Sequence, residues 1–138
     1  MMIFIPGTPR GKGRPRFTRY GKPYTDTETR KYEDTIAEAY RTQGAELIAD
    51  APVQVMVEVF FKIPERTSKK RTFEMLRDLI LPAKKPDLDN VIKAVLDALN
   101  GVAYRDDSQV CWLFARKVYG SNEGVRIAVE EMEGDNGK

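Results

Sequence analysis

Residues 84–101 read Lys-Lys-Pro-Asp-Leu-Asp-Asn-Val-Ile-Lys-Ala-Val-Leu-Asp-Ala-Leu-Asn-Gly, and the helix they encode decides how the flanking chain is read. Ile92, Val95, Leu96 and Leu99 recur at i, i+3, i+4 and i+7, with Val91 and Ala98 widening the apolar stripe. That spacing predicts an amphipathic helix from about Asn90 to Leu99. Asp89, Asn90, Lys93 and Asp97 share its opposite face. Asn100-Gly101 is the expected stop, because glycine takes the left-handed position without steric cost. Two carboxylates, Asp87 and Asp89, stand at the entry to this helix. A second pair follows it in Arg105-Asp106-Asp107-Ser108-Gln109.

Working outward, the pattern alternates between strands and helices. Val53 to Phe61 is apolar at every odd position, the period-two signature of a strand with one core face. Ile3-Phe4-Ile5 reads as a short strand stopped by Pro6-Gly7. Val110-Cys111-Trp112-Leu113-Phe114-Ala115 opens a buried strand running on towards Tyr119. Ser121-Asn122-Glu123-Gly124 is read as a hairpin connection to a return strand in which Val125, Ile127 and Val129 alternate. Ile36, Ala37, Ala39 and Tyr40 give a partial stripe for a helix that begins at Thr27 or Thr29 and ends at Gln43-Gly44. Thr67-Ser68 is placed to cap a short basic helix through about Leu79. This order of elements predicts an α+β fold, a small mixed sheet with flanking helices. Residues 1–138 are read as one domain with a frayed tail from about 133 to 138, and no internal repeat or linker marks a second.

Composition removes several chemistries. The chain has no histidine, so Ser-His or Cys-His activation, a histidine base and a Cys/His zinc cage are all excluded. Its one cysteine, Cys111, cannot form an internal disulfide and is expected as a buried, inert thiol in a reducing compartment. No apolar run approaches the ~18 residues of a membrane span, and the first residues are too short a block for a secretory signal, so a cytoplasmic location is expected. The net charge of +2 conceals a segregation. Arg10, Lys12, Arg14, Arg16, Arg19 and Lys22 crowd the first arm with no acid among them. Arg66, Lys69, Lys70, Arg71, Arg77, Lys84 and Lys85 form a second tract, and acids gather in Glu130, Glu131, Glu133 and Asp135. A polyanionic partner on one face is one reading of that pattern, and a solvated surface is the other. Gly11 and Gly13 let the arm's backbone approach a ligand closely. Phe17, Tyr20 and Tyr24 either stack on bases or anchor the arm to the core.

The carboxylates around the central helix suggest a divalent-metal site. Mg²⁺ takes a few carboxylates, keeps water, and completes its shell with phosphate oxygens. Asp87 and Asp89 project together only from an extended entry; in a helix they would lie about 200° apart. Pro86 favours such an entry by biasing Lys85 to extended backbone. Asp106 or Asp107 would arrive from the following loop. The plainer alternatives are an N-cap at the helix start and an Asx turn in the loop. Lys93 either pairs with Asp89 at i, i+4 or adds positive charge beside a phosphate. Asp97, which could also pair with Lys93, is read as structural.

Taken together, Asp87-Leu-Asp89-Asn90-x-x-Lys93, then Asp97-Ala-Leu, then Asp106-Asp107-Ser-Gln-Val110 resembles the RusA family of Holliday junction resolvases. The match is close over the central quarter of the chain. The resemblance implies a Mg²⁺-dependent endonuclease, with Mn²⁺ as a substitute, acting as a homodimer on four-way junction DNA in recombination and repair. It assigns Asp87, Asp89 and Asp107 as metal-binding catalytic residues and Lys93 as the essential lysine. Arg10, Lys12, Arg14, Arg16, Lys84 and Lys85 are the residues expected to hold DNA phosphates. A longer segment before the motif, about Thr67 to Ala83, departs from the best-known members. Two rival functions remain: a non-catalytic DNA-binding module using the acids as caps, and a metal-dependent nuclease for another branched nucleic acid.

Overall fold

The computed structural model describes residues 1–133; the tail from Gly134 onward lies outside the described residues. In chain order the elements are β1 (Met2–Pro6), β2 (Arg16–Phe17), β3 (Pro23–Tyr24), α1 (Thr27–Thr42), β4 (Val53–Lys62), α2 (Lys69–Leu76), α3 (Leu88–Leu99), β5 (Val110–Gly120) and β6 (Gly124–Glu131). Four strands form one mixed sheet in the order β1-β6-β4-β5, and β2 pairs with β3 in a separate small ribbon. The fold is α+β, as the alternation of elements predicts.

β4 organises the sheet. Its odd residues Val53, Val55, Val57 and Val59 are fully buried, so one complete face of the strand meets the helices. Burying each such side chain contributes about 1.5–3 kcal/mol relative to leaving it in water. α3 presents Val91, Val95 and Leu99 to the same core, and α1 adds Ile36 and Tyr40. The two helices pack against each other on this side of the sheet. α3 starts at Leu88, two residues before the expected start, because Asp87 takes the N-cap position and its carbonyl accepts from Val91 N–H at 3.2 Å. Gly101 has φ +77°, the left-handed stop that Asn100-Gly101 predicts.

Three expectations are corrected. Ser121–Glu123 is not a hairpin connection: β4 lies between β5 and β6, running parallel to the former and antiparallel to the latter. The turn therefore carries the chain across the end of β4. Secondly, β5 is not a buried strand. It is the sheet's outer edge, and Cys111, Trp112, Leu113 and Phe114 are all exposed. Thirdly, Cys111 is accordingly an exposed thiol. It is the extra residue of a bulge, since Val53 pairs with Val110 while Gln54 pairs with Trp112.

α2 begins where Ser68 was expected to cap it, with Arg71 N–H donating to Ser68 Oγ at 3.2 Å, but it stops at Leu76 rather than Leu79. Asp78 just beyond has φ +61°, which no helix interior adopts. α2 packs against β5. Glu58 of β4 is buried and held by Arg116 at 2.6 Å and Arg126 at 3.4 Å. Its charge is thereby matched, as a buried carboxylate requires.

Candidate active site

The candidate residues lie at the start of α3, in the loop before β5 and on the basic arm. Asp87 occupies the N-cap of α3 in extended geometry, yet its side chain makes no capping bond. Asp89 lies in the first helical turn, so only the entry as far as Asp87 is extended. A carboxylate there is favoured by the positive end of the helix dipole. Lys93 follows one turn later and is exposed. It forms no ion pair among the described residues: Asp97, its potential i+4 partner, is 3.1 Å from Lys12 instead.

The loop holding the second carboxylate pair divides its two members. Asp106 caps a 3-10 turn over Asp107–Gln109, accepting from Ser108 N–H at 3.0 Å. The bond from Ser108 holds its carboxyl below the usual carboxylate range. Asp107, its neighbour, is exposed; its carbonyl accepts from Val110 N–H, but its side chain has no hydrogen bond or ion pair among the described residues. Gln109 stitches the loop down. Its Oε1 accepts from Arg105 and Asp106 N–H at 2.9 and 3.0 Å, and its Nε2 donates to the carbonyls of Ile48 and Ala51 at 2.9 and 3.0 Å.

Tyr104 joins this loop to α3. It is fully buried, and its hydroxyl donates to Leu96 O at 2.9 Å. Burial pushes its pKa well up, and the nearby charges of Asp107, Asp97 and Asp106 push the same way. The sequence reading missed Tyr104 and the bonding role of Gln109; the signals were position, two residues before and two after the Asp-Asp pair, and the place of Gln109 in the quoted motif.

The arm is docked rather than free. Lys12 N–H donates to Asn90 O at 2.8 Å. Its ammonium, only 15% exposed, reaches both Glu33 of α1 and Asp97 of α3. Desolvation lowers its pKa, but the hydrogen bonds and charges of those two acids outweigh that, and the net shift is upward. Lys12 is thus committed to the protein rather than turned to a phosphate. Gly11 and Gly13 bring backbone close to protein, not ligand: a Cβ on Gly11 would lie 2.8 Å from Asn90 Cβ, and one on Gly13 would collide with the Asp26 carboxylate. Asp26 itself caps α1 through Thr29 N–H at 2.9 Å.

Beyond the dock, Arg14 and Arg16 are exposed, and Arg10 stands 3.8 Å from Glu28 in an exposed pair. Phe17 (65% exposed) and Tyr20 (88%) do not anchor the arm to the core. Lys84 and Lys85 are exposed in the loop before α3, which Lys117 Nζ pins through the carbonyls of Lys84 (2.6 Å) and Pro86 (3.3 Å).

Among the described residues, no group of three or more carboxylate or cysteine side chains is arranged to hold a metal ion. The convergence expected of Asp87, Asp89 and Asp107 is therefore not a ready-made cage. What the chain offers is Asp87 and Asp89 at the start of α3 and Asp107 in the loop before β5, three exposed carboxylates whose side chains have no partner among the described residues. No helix among the described residues is long and apolar enough to cross a membrane.

Exposed acids at the start of α3 and in the loop before β5, beside a basic arm docked on α3, are side chains suited to a phosphodiester-cutting class of enzyme. Comparison with known proteins specifies it. The family model described as endodeoxyribonuclease RusA matches residues 6–130, and the chain belongs to the RusA endodeoxyribonuclease family. It is 35% identical over 131 residues to "Uncharacterized protein YqaN" of Bacillus subtilis (strain 168), covering 91% of this chain and 92% of that one. It is also 31% identical over 84 residues to the crossover junction endodeoxyribonuclease rusA of Lactococcus phage r1t, covering 60% of this chain and 57% of that protein.

Proposed function

We propose that this protein is a Mg²⁺-dependent endonuclease that resolves four-way DNA junctions by paired phosphodiester cuts, in recombination and repair, as a cytoplasmic homodimer. Family membership supports the endonuclease class. The observation that carries the site assignment is the contrast among acids: the side chains of Asp26, Asp97 and Asp106 are engaged in caps or ion pairs, whereas those of Asp87, Asp89 and Asp107 have no such partner among the described residues.

The residues fit a hard divalent ion by donor type, all three being carboxylates that are exposed and unspent. Mg²⁺, or Mn²⁺ in its place, would be held by Asp87, Asp89 and Asp107, with substrate phosphate and water filling the positions that the protein leaves open. When bound, such an ion polarises a phosphoryl oxygen and makes bound water a better nucleophile. The protein's own groups do the rest. Lys93, one turn from Asp89 and without an ion pair among the described residues, adds positive charge at the scissile phosphate. Arg14, Arg16, Lys84 and Lys85 hold flanking phosphates, which fixes position without reading sequence. Phe17, Tyr20 and Tyr24 on the exposed ribbon cover sugar or an unstacked base.

The test is cutting of a synthetic mobile four-way junction with and without Mg²⁺, beside fork, duplex and RNA substrates. The proposal expects paired, metal-dependent nicks in the junction. Asp89→Asn should abolish them while junction binding persists. A preference for RNA, or cutting indifferent to Asp89→Asn, would overturn it.

A further inference from the structure

The segment between β4 and α3 carries charge that nothing in the proposed site uses. Arg66, Lys69, Lys70 and Arg71 stand close together, with no acid anywhere from 66 to 73. All four are exposed, and none forms an ion pair among the described residues. Ser68 caps α2 just ahead, so Lys69, Lys70 and Arg71 fill its first turn, where acids are absent. Cations there oppose the helix dipole and one another, and so do not serve the helix itself. The cations beside them on the sheet are matched: Arg116 by Glu58 and Asp78, Arg126 by Glu58.

The tract is held in a fixed place. Met75 is buried, and α2 packs against β5. Asp78, just past the helix, is 3.3 Å from Arg116. Arg116 pairs with Glu58, which alternates with the buried Val57 and Val59 and so lies on the sheet face turned away from α1 and α3. The next residue of the strand, Lys117, points the other way and holds the carbonyls of Lys84 and Pro86 just before Asp87. The chain thus carries its cations round the outer edge of the sheet, from α2 on one face to Lys84, Lys85 and Asp87 on the other.

We propose that the α2 tract is a second phosphate-binding surface, which takes a duplex branch of the junction other than the one laid on the start of α3. The proposal deepens the junction reading and rests on it for the branched substrate. A straight duplex on the start of α3 runs along one face of the sheet, and phosphates beyond β5 belong to a duplex leaving the branch point in another direction. α2 is 8 residues long, roughly 12 Å, a length over which duplex DNA carries about seven phosphate charges. Lysine and arginine on an open surface hold phosphates and read no bases, so the tract selects for shape, branched over linear. An anionic lipid surface is disfavoured. A helix lying in a membrane turns its apolar residues outward, whereas Met75 is buried in the protein and Phe73 is covered by the Arg77 guanidinium, 4.7 Å from its ring centre.

Fluorescence anisotropy without Mg²⁺ reads binding apart from cutting. Lys69→Gln, Lys70→Gln and Arg71→Gln together keep the Ser68 cap and good helix formers, so circular dichroism should match the native chain. The triple variant should lose about 10²-fold in junction affinity at physiological salt, with the salt slope lower by about 3, while a linear duplex loses far less. Each single change should lower the slope by about 1, which keeps the result legible if the triple variant misfolds. Lys69→Arg with Lys70→Arg should bind as the native chain does. The proposal is overturned by an unchanged junction slope, by an equal loss on junction and duplex, or by a loss in the arginine variant. Native binding to phosphatidylserine vesicles that vanishes in the triple variant while junction binding stays would overturn it too. The two readings fail separately. A chain that binds junctions through this tract yet cuts nothing removes the nuclease reading alone; one that cuts and binds junctions whatever the tract carries removes this proposal alone.

Discussion

Asp106 and Asp107 are adjacent in the chain and put to different uses. The first spends its carboxylate on Ser108 N–H and shapes the turn; the second is left over. Asp107→Asn should therefore reduce junction cutting about 10²–10³-fold, the loss expected when a site gives up several kcal/mol of charge stabilisation, with no change in melting temperature. Asp106→Ala should lower the melting temperature instead. The carboxyl of Asp106 is depressed from its ordinary 3.8, so its contribution is complete above that value and is lost as pH falls through the lower, folded-state value. An acid titration of the two variants by circular dichroism checks the difference. Gln109 is the second residue whose role is decided by bonding. Gln109→Leu would leave Asp106 N–H and Ala51 O without their partner, while Arg105 N–H and Ile48 O keep their mutual 3.3 Å bond; it should cost about 1–3 kcal/mol in urea unfolding and slow cutting by loosening the turn that carries Asp107.

At the level of elements, the arm and α3 act as a unit through Lys12. A lysine between Glu33 and Asp97, with its backbone on Asn90, ties the approach of the DNA-facing ribbon to the helix that carries Asp89 and Lys93. Lys12→Met should leave the core folded and release the arm, seen as faster tryptic cleavage at Arg14 and Arg16. The folded pKa of Lys12 is raised above its ordinary 10.5, so the tie is intact below that pH and fails only as pH climbs through the higher folded value. The same proteolysis in the native chain should accordingly not vary between pH 6 and about 9.

For the whole molecule, the decisive property is where unmatched charge lies. Glu58, Arg116, Arg126 and Asp78 neutralise one another on the sheet, and Lys12 is consumed internally. Among the described residues, cations without an ion pair include those of the ribbon, of the loop before α3 and of the basic tract at α2. Junction affinity should then fall linearly with salt on logarithmic axes. Arg14→Ala and Arg16→Ala should each lower that slope by about 1, whereas Arg126→Ala should leave it unchanged. Fluorescence anisotropy over a salt series measures both.

The sequence alone determined α3, β4 and the α+β class, because the 3.6 and 2.0 periods of their apolar residues are local properties that survive any arrangement of neighbours. It also marked the carboxylates at the helix start and in the loop, whose motif spans a single stretch of chain. Only the tertiary structure decided that β4 separates β5 from β6, that the Val110–Ala115 run is an exposed edge, and that Lys12 serves the arm rather than a phosphate. Each of these depends on what stands opposite a residue, in partners tens of positions away such as Lys12 and Asp97. An apolar strand looks the same in sequence whether a neighbour, a helix or water covers it.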